Sequence, residues 1–245
     1  MGVLSDNQEK YKNLLCNALQ QFYKNDAKAL FNKNRGNTVV ETKKEMIDER
    51  AMVGCVYRYM WHLMQQARDY FPVSDIDIEY DRMIKDNIGY YEKVLSCECI
   101  SEDAGKQCYA KCCQVIINEI NKNRRNADDV RNDTDIIKKA VRPDIIVHNR
   151  NGEGIENNGL VVEFKKYDNN NVAFDMAKLY YFTCPKSKCL CYKLGAMVLL
   201  CPQYAYVGFI CEQNILSGCK VCANSVEAVK RDEIEKCSRP HPLQT

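Results

Sequence analysis

The segment 141-VRPDIIVHNRNGEGIENNGLVVEFKK-166 places two short apolar runs around a loop rich in Gly and Asn. Three charged residues, Asp144, Glu163 and Lys165, interrupt these runs where a buried strand would carry hydrophobic ones. Side chains alternate across a strand. Leu160, Val162 and Phe164 therefore share one face, and Val161, Glu163 and Lys165 share the other. Ile145 and Val147 likewise share a face opposite Asp144. A loop of about ten residues lets the two strands sit antiparallel as neighbours. If the apolar faces pack on a helix, Asp144, Glu163 and Lys165 converge on the opposite side of the sheet.

Working outward, residues 5–32 read as an amphipathic helix, with Leu14, Leu15, Ala18, Leu19, Phe22 and Tyr23 at helical spacing. A second helix is expected over about 39–68 and is stopped by Pro72. Its apolar stripe runs through positions 49, 53, 56, 60 and 63, and the first of these is Glu49. A carboxylate in register with an apolar stripe is costly unless it finds a partner. Glu45, one turn earlier, is the rival position. The alternation in "DIDIEYDR", 75–82, predicts a strand. Residues 83–141 read as a mainly helical, cysteine-bearing insertion outside the core. After the strands at about 143–149 and 159–166, a helix is expected over 172–183. "GAMVLLC" and "YAYVGFI" then form a closing strand pair, and one more helix is expected near 224–236 before a loose tail. The order predicts a single mixed α/β domain over residues 1–245, built around a small sheet.

Two or three convergent carboxylates suit Mg²⁺, a hard ion that takes few protein oxygens and keeps waters for a substrate; Mn²⁺ can substitute. A protonated lysine beside the ion cannot be a ligand. It can orient an attacking water or stabilise charge on a phosphorane-like transition state. That combination is what metal-dependent phosphodiester hydrolysis requires.

These residues resemble the PD-(D/E)xK nuclease superfamily, with a restriction-endonuclease-like fold. "RPD" supplies Pro143 and Asp144, and "EFK" supplies Glu163, Phe164 and Lys165. "DERAMVGCVYRYM" is similar to the family's first helix with Glu49 at its acidic position, and "DIEYDR", "RPDIIVHNR" and "DMAKLYYFT" are similar to flanking elements of a small bacterial subgroup. The resemblance covers about 45–82 and 141–210, and leaves out the N-terminal helix, the insertion and the tail. It implies an αβββαβ core. It implies Asp144 and Glu163 as Mg²⁺ ligands with the Phe164 carbonyl, Glu49 as an auxiliary ligand and Lys165 as the catalytic lysine. Lys178 is implied near the site or the substrate backbone. The long span between the "EYDR" and PD strands departs from the subgroup.

Each of these residues also has a plainer reading. Glu163 and Lys165 would line a solvated strand face, and Asp144 would follow Pro143 at a strand entry. Glu49 would be a first-turn glutamate favoured by the helix dipole. His148 lies on the Asp144 face and is a candidate substrate contact, although a lone histidine is more often structural. "NKNRR", Lys122–Arg125, offers phosphate contacts or a solvated helix end.

The remaining composition narrows the setting. A net charge of +2 advertises no global affinity for polyanions, so nucleic acid must be met by a local patch. The polar opening "MGVLSDNQEK" and the lack of a long apolar run predict a cytoplasmic protein without a membrane partner. Fifteen cysteines would then be mostly reduced thiols. Cys219 and Cys222 form the single C-x-x-C with a common zinc spacing, and no second C-x-x-C completes a four-ligand set. The sequence thus predicts a Mg²⁺-dependent nuclease acting on nucleic acid, DNA before RNA, with a homodimer as a possible assembly. The alternative is an inactive nuclease-fold protein that works in nucleic-acid binding or assembly.

Overall fold

The computed structural model describes residues 4–32, 49–71, 74–78, 143–149, 158–166, 172–183, 191–211 and 214–229, with short strands at 82–85, 89–92, 94–95 and 139–140. Its centre is a seven-stranded sheet. In chain order, the strands are β1 (Asp75–Ile78), β6 (Ile145–His148), β7 (Asn158–Lys166), β8 (Leu194–Leu200), β9 (Tyr204–Cys211), β10 (Asn214–Cys222) and β11 (Val226–Val229), and this is also their spatial order. All neighbours are antiparallel except β7 and β8. A parallel pair needs a crossover, and helix α4 (Val172–Phe182) provides it.

Two helices cover one face of the sheet. α1 (Asp6–Asn25) starts with a capping box in which Ser5 and Gln8 satisfy each other's backbone N–H groups. Its apolar stripe buries Leu14, Leu15, Ala18, Leu19 and Phe22. The short α2 (Ala27–Asn32) follows. α3 (Glu49–Gln66) packs against α1 and buries Met52, Val53, Val56, Met60 and Met64. Under these helices lie Ile145, Val147, Leu160, Val162, Phe164, Ala196, Val198 and Val207, all fully buried. On the other face α4 packs on β7, β8 and β9, over a smaller cluster that includes Ile146, Val161, Leu179, Phe182 and Met197. The result is a three-layer α/β/α arrangement.

Two expectations need correction. The predicted helix near 224–236 is replaced at Val226–Val229 by strand β11, which pairs with β10, itself a strand the sequence did not announce. Glu227 and Ala228 lean toward a helix, but the β-branched Val226 and Val229 favour a strand, and the edge of β10 gives them a partner. The described parts of the insertion are strands, not helices: β2 (Arg82–Lys85) pairs with β3 (Gly89–Glu92), and β4 (Val94–Leu95) pairs with β5 (Lys139–Ala140). All four lie outside the seven-stranded sheet. Residues 96–138, which hold Lys122–Arg125 and the first cysteine cluster, lie outside the described residues, as does Glu45.

A candidate active site on the α4 face

Strand register brings the charged residues together. Ile145 faces Val162 across the β6–β7 ladder, so Asp144 arrives beside Glu163 and Phe164. The Phe164 N–H donates to Asp144 Oδ2 at 2.7 Å, tying the strand entry to β7. Phe164 turns its ring into the α1/α3 core, while Glu163 and Lys165 point the other way, toward α4. Glu49, at the first turn of α3, reaches the end of β7. Its Oε2 accepts from the Lys166 N–H at 3.0 Å, and its Oε1 lies 3.3 Å from Lys165 Nζ.

Helix α4 completes the cluster. Within "VAFDMAKLYYF" the charged residues are Asp175 and Lys178, three apart and therefore on one face. Lys178 Nζ lies 2.7 Å from Glu163 Oε2 and 2.6 Å from Asp175 Oδ1. Asp175 Oδ2 faces Lys165 Nζ at 3.0 Å. One chain of contacts thus runs Glu49–Lys165–Asp175–Lys178–Glu163, with Asp144 alongside. Asp175 did not figure in the sequence reading. Its signal was the i,i+3 pair of opposite charges inside an otherwise apolar helix.

Burial makes this cluster electrically tense. Glu163 is 1% exposed, Asp175 4% and Lys178 7%. Desolvation pushes the Asp144 carboxyl up to about 6, against the hydrogen bond from Phe164 and the pull of Lys178 and Lys165. Burial also raises Glu163 well above the ordinary glutamate range, outweighing the Lys178 ammonium beside it. Burial pulls the two lysines down, yet their acidic partners prevail and both are raised. Both therefore stay cationic.

Four carboxylates, Glu49, Asp144, Glu163 and Asp175, face two ammonium groups. Fully ionised, the cluster would hold two uncompensated negative charges. Glu163 Oε1 is also buried without a hydrogen-bond partner. Burial raises both Asp144 and Glu163, so this excess shrinks without an ion, and a divalent cation here would have to bind the ionised carboxylates. Among the described residues, no three His, Cys, Asp or Glu side chains form a group that could hold an ion by themselves.

His148 behaves differently. Its Nε2 lies 2.8 Å from Asp77 Oδ2 on the neighbouring strand β1. Four positions along β6 separate it from Asp144, about 13 Å, so it sits at the far end of that strand and not in the carboxylate cluster. The Cys219/Cys222 pair also does not form a joint site. Positions three apart on a strand face opposite ways. Cys219 Sγ turns inward, to 3.5 Å from Cys16 Sγ on α1. No helix among the described residues is long and apolar enough to cross a membrane. Compared with known proteins, the chain matches no family model, no curated protein and no solved structure.

Proposed function

We propose that this chain is a divalent-metal-dependent nuclease that hydrolyses phosphodiester bonds, with DNA as the first substrate to test. The observation that carries this reading is the meeting of Asp144, Glu163, Lys165 and Glu49 around the end of β7, with Glu163 Oε1 buried and without a hydrogen-bond partner. Leaving aside the outlying strands β2–β5 and the added strands β9–β11, the order α3, β1, β6, β7, α4, β8 supports it too, since the motif would call for a helix, three strands, a helix and a strand. Asp144 and Glu163 would hold Mg²⁺ or Mn²⁺, with the Phe164 carbonyl and, directly or through water, Glu49. The ion would supply Lewis-acid polarisation of the phosphoryl oxygens and a more acidic bound water.

The chain's own residues supply the rest. Lys165 is held between Glu49 and Asp175, and these acids keep it protonated. It cannot take a proton from water in that state. Its role is to donate hydrogen bonds to the nucleophilic water or to the charge growing on the phosphoryl oxygens. Asp175 fixes Lys165 and Lys178 in place by contacting both. Burial raises the Asp144 carboxyl to about 6 without the ion, so at and below that pH an ion binding there would compete with its proton.

One observation favours a second reading, an inactive nuclease-fold protein in nucleic-acid binding or assembly. Lys178 already neutralises Glu163 Oε2 from within, as a purely structural ion pair would. Calorimetry separates the two. Titration with Mn²⁺ or Mg²⁺ near pH 6 in buffers of different ionisation enthalpy should reveal proton release on binding, together with cleavage of plasmid or oligonucleotide that EDTA abolishes. Glu163→Gln should remove both. Absence of ion binding and of cleavage in the wild-type chain would leave the inactive reading standing.

A further inference from the structure

The face that carries Lys165 continues sideways across the sheet. Register aligns Lys165 on β7 with Leu199 on β8, Leu199 with Tyr206 on β9, Tyr206 with Lys220 on β10, and Lys220 with Glu227 on β11. Tyr204, two residues before Tyr206, stands on the same face. Residues on the opposite face, Ala205, Val207, Cys219 and Val221, are buried under the helices instead. Tyr204, Tyr206 and Lys220 are half-buried. The two tyrosine rings meet edge to face, with centroids 5.1 Å apart and planes at 73°. Lys220 Nζ sits 4.4 Å from the centre of the Tyr204 ring. Glu227 is turned to Ser225, whose Oγ donates to its Oε1 at 3.0 Å.

We propose that Tyr204, Tyr206 and Lys220 form a shelf on which unpaired bases of a single-stranded nucleic acid stack while the phosphate backbone reaches the Lys165 cluster. The proposal rests on the nuclease reading of that cluster and extends it to a substrate class. Rings that buttress each other lose little entropy when a base stacks on them, and stacking tolerates any sequence because every base has a π-face. Lys220 adds a cation beside the rings, where a phosphate would neutralise it. Two strand spacings, about 10 Å, separate the backbone of Lys165 from that of Tyr206, a span suited to a phosphate and the base of a neighbouring nucleotide. A duplex keeps its bases stacked inside and offers the shelf nothing but backbone.

The test is fluorescence anisotropy with labelled oligothymidylate and a labelled duplex of equal length, in EDTA so that nothing is cut. Wild type should prefer the single strand. Tyr206→Ala should weaken single-strand binding about tenfold and change duplex binding less than twofold. Tyr206→Phe keeps the ring and should bind like wild type, which also guards against a folding defect. Lys220→Gln should weaken binding to both probes and flatten its salt dependence. Equal binding of single strand by wild type and Tyr206→Ala, or a wild type that binds neither probe, overturns the shelf. Mg²⁺-dependent cleavage measured in parallel keeps the two ideas apart. Cleavage without Tyr206-dependent binding sinks the shelf and spares the nuclease. Tyr206-dependent binding without cleavage does the reverse.

Discussion

The two faces of the sheet are built from the same strands and obey different rules. Under α1 and α3 the sheet presents Ile145, Val147, Leu160, Val162, Phe164 and Val198, and every one is fully buried. Under α4 the same strands present Ile146, Val161 and Met197 together with Glu163, against a helix that contributes Asp175 and Lys178. The first face is held by the removal of apolar surface from water, a term without direction or pH dependence. The second keeps charges that would be far better solvated outside, and tolerates them because they meet each other at hydrogen-bond distance. Replacing such a cluster by apolar residues often leaves stability unchanged or raises it. The apolar part of the second face, with Ile146, Val161, Leu179 and Phe182, still holds α4 to the sheet, so it is the charges and not the face that the fold could do without.

The contrast can be broken from the apolar side first, where the effect is largest. Phe22 of α1 is fully buried in the main cluster. Phe22→Ala should cost about 3–5 kcal/mol, read as a fall in the urea midpoint at constant slope, with the same cost at pH 5.5 and pH 8. A strong pH dependence would show that the two faces are coupled.

On the charged face, Lys178→Met removes the ammonium between Glu163 and Asp175 and should cost on the order of 3 kcal/mol at pH 8. The loss should shrink as the pH falls, because the Glu163 carboxyl, already raised by burial, then takes up a proton and no longer buries charge. Millimolar Mn²⁺ should restore more stability to this variant than to wild type, since it supplies the missing cation. A loss that is independent of pH and of Mn²⁺ would mean that Lys178 serves mainly by packing.

The smallest effect has the opposite sign. Asp144 has a carboxyl raised from 3.8 to about 6 by burial. Its folded pKa lies above the unfolded one, so the native chain binds the extra proton between those values. Ionising Asp144 therefore costs folding free energy above about pH 6 and nothing below about pH 4. Asp144→Asn should stabilise the protein by about 1–2 kcal/mol at pH 8, a gain that fades as the pH drops through this window, while divalent-ion binding is lost. Thermal melts over pH 4–8 measure the first effect and calorimetry the second. A destabilised Asp144→Asn at pH 8 would show that its hydrogen bond from Phe164 outweighs the burial of its charge.

Much of this arrangement follows from short-range sequence pattern. Alternation along 158–166 assigns Leu160, Val162 and Phe164 to one side and Glu163 to the other, and the structure keeps that division. Helical spacing identifies the buried stripe of α3 through Val53, Val56 and Met60. Both patterns are legible because the period of a side-chain row is fixed by backbone geometry alone. Glu49 stands in the α3 stripe and meets Lys165 and the Lys166 N–H. That contact required knowing where the end of β7 lies in space, which spacing within a helix does not record.

The rest was decided between distant segments. Asp175 and Lys178 look like an ordinary i,i+3 pair until the parallel β7–α4–β8 crossover folds α4 back over β7 and presses both onto Glu163 and Lys165. β10 contains Ser217 and Gly218 and carries an irregularity between Ile215 and Ser217, so its local signal as a strand is weak. It forms because β9 offers a row of unpaired backbone groups, and β11 forms because β10 offers the next. The sequence by itself determined which side chains share a face, because that depends on a period of two or 3.6 residues. Only the tertiary structure decided which faces meet and which charges find partners, because those contacts join residues far apart in the chain through burial and pairing, and neither leaves a local signature.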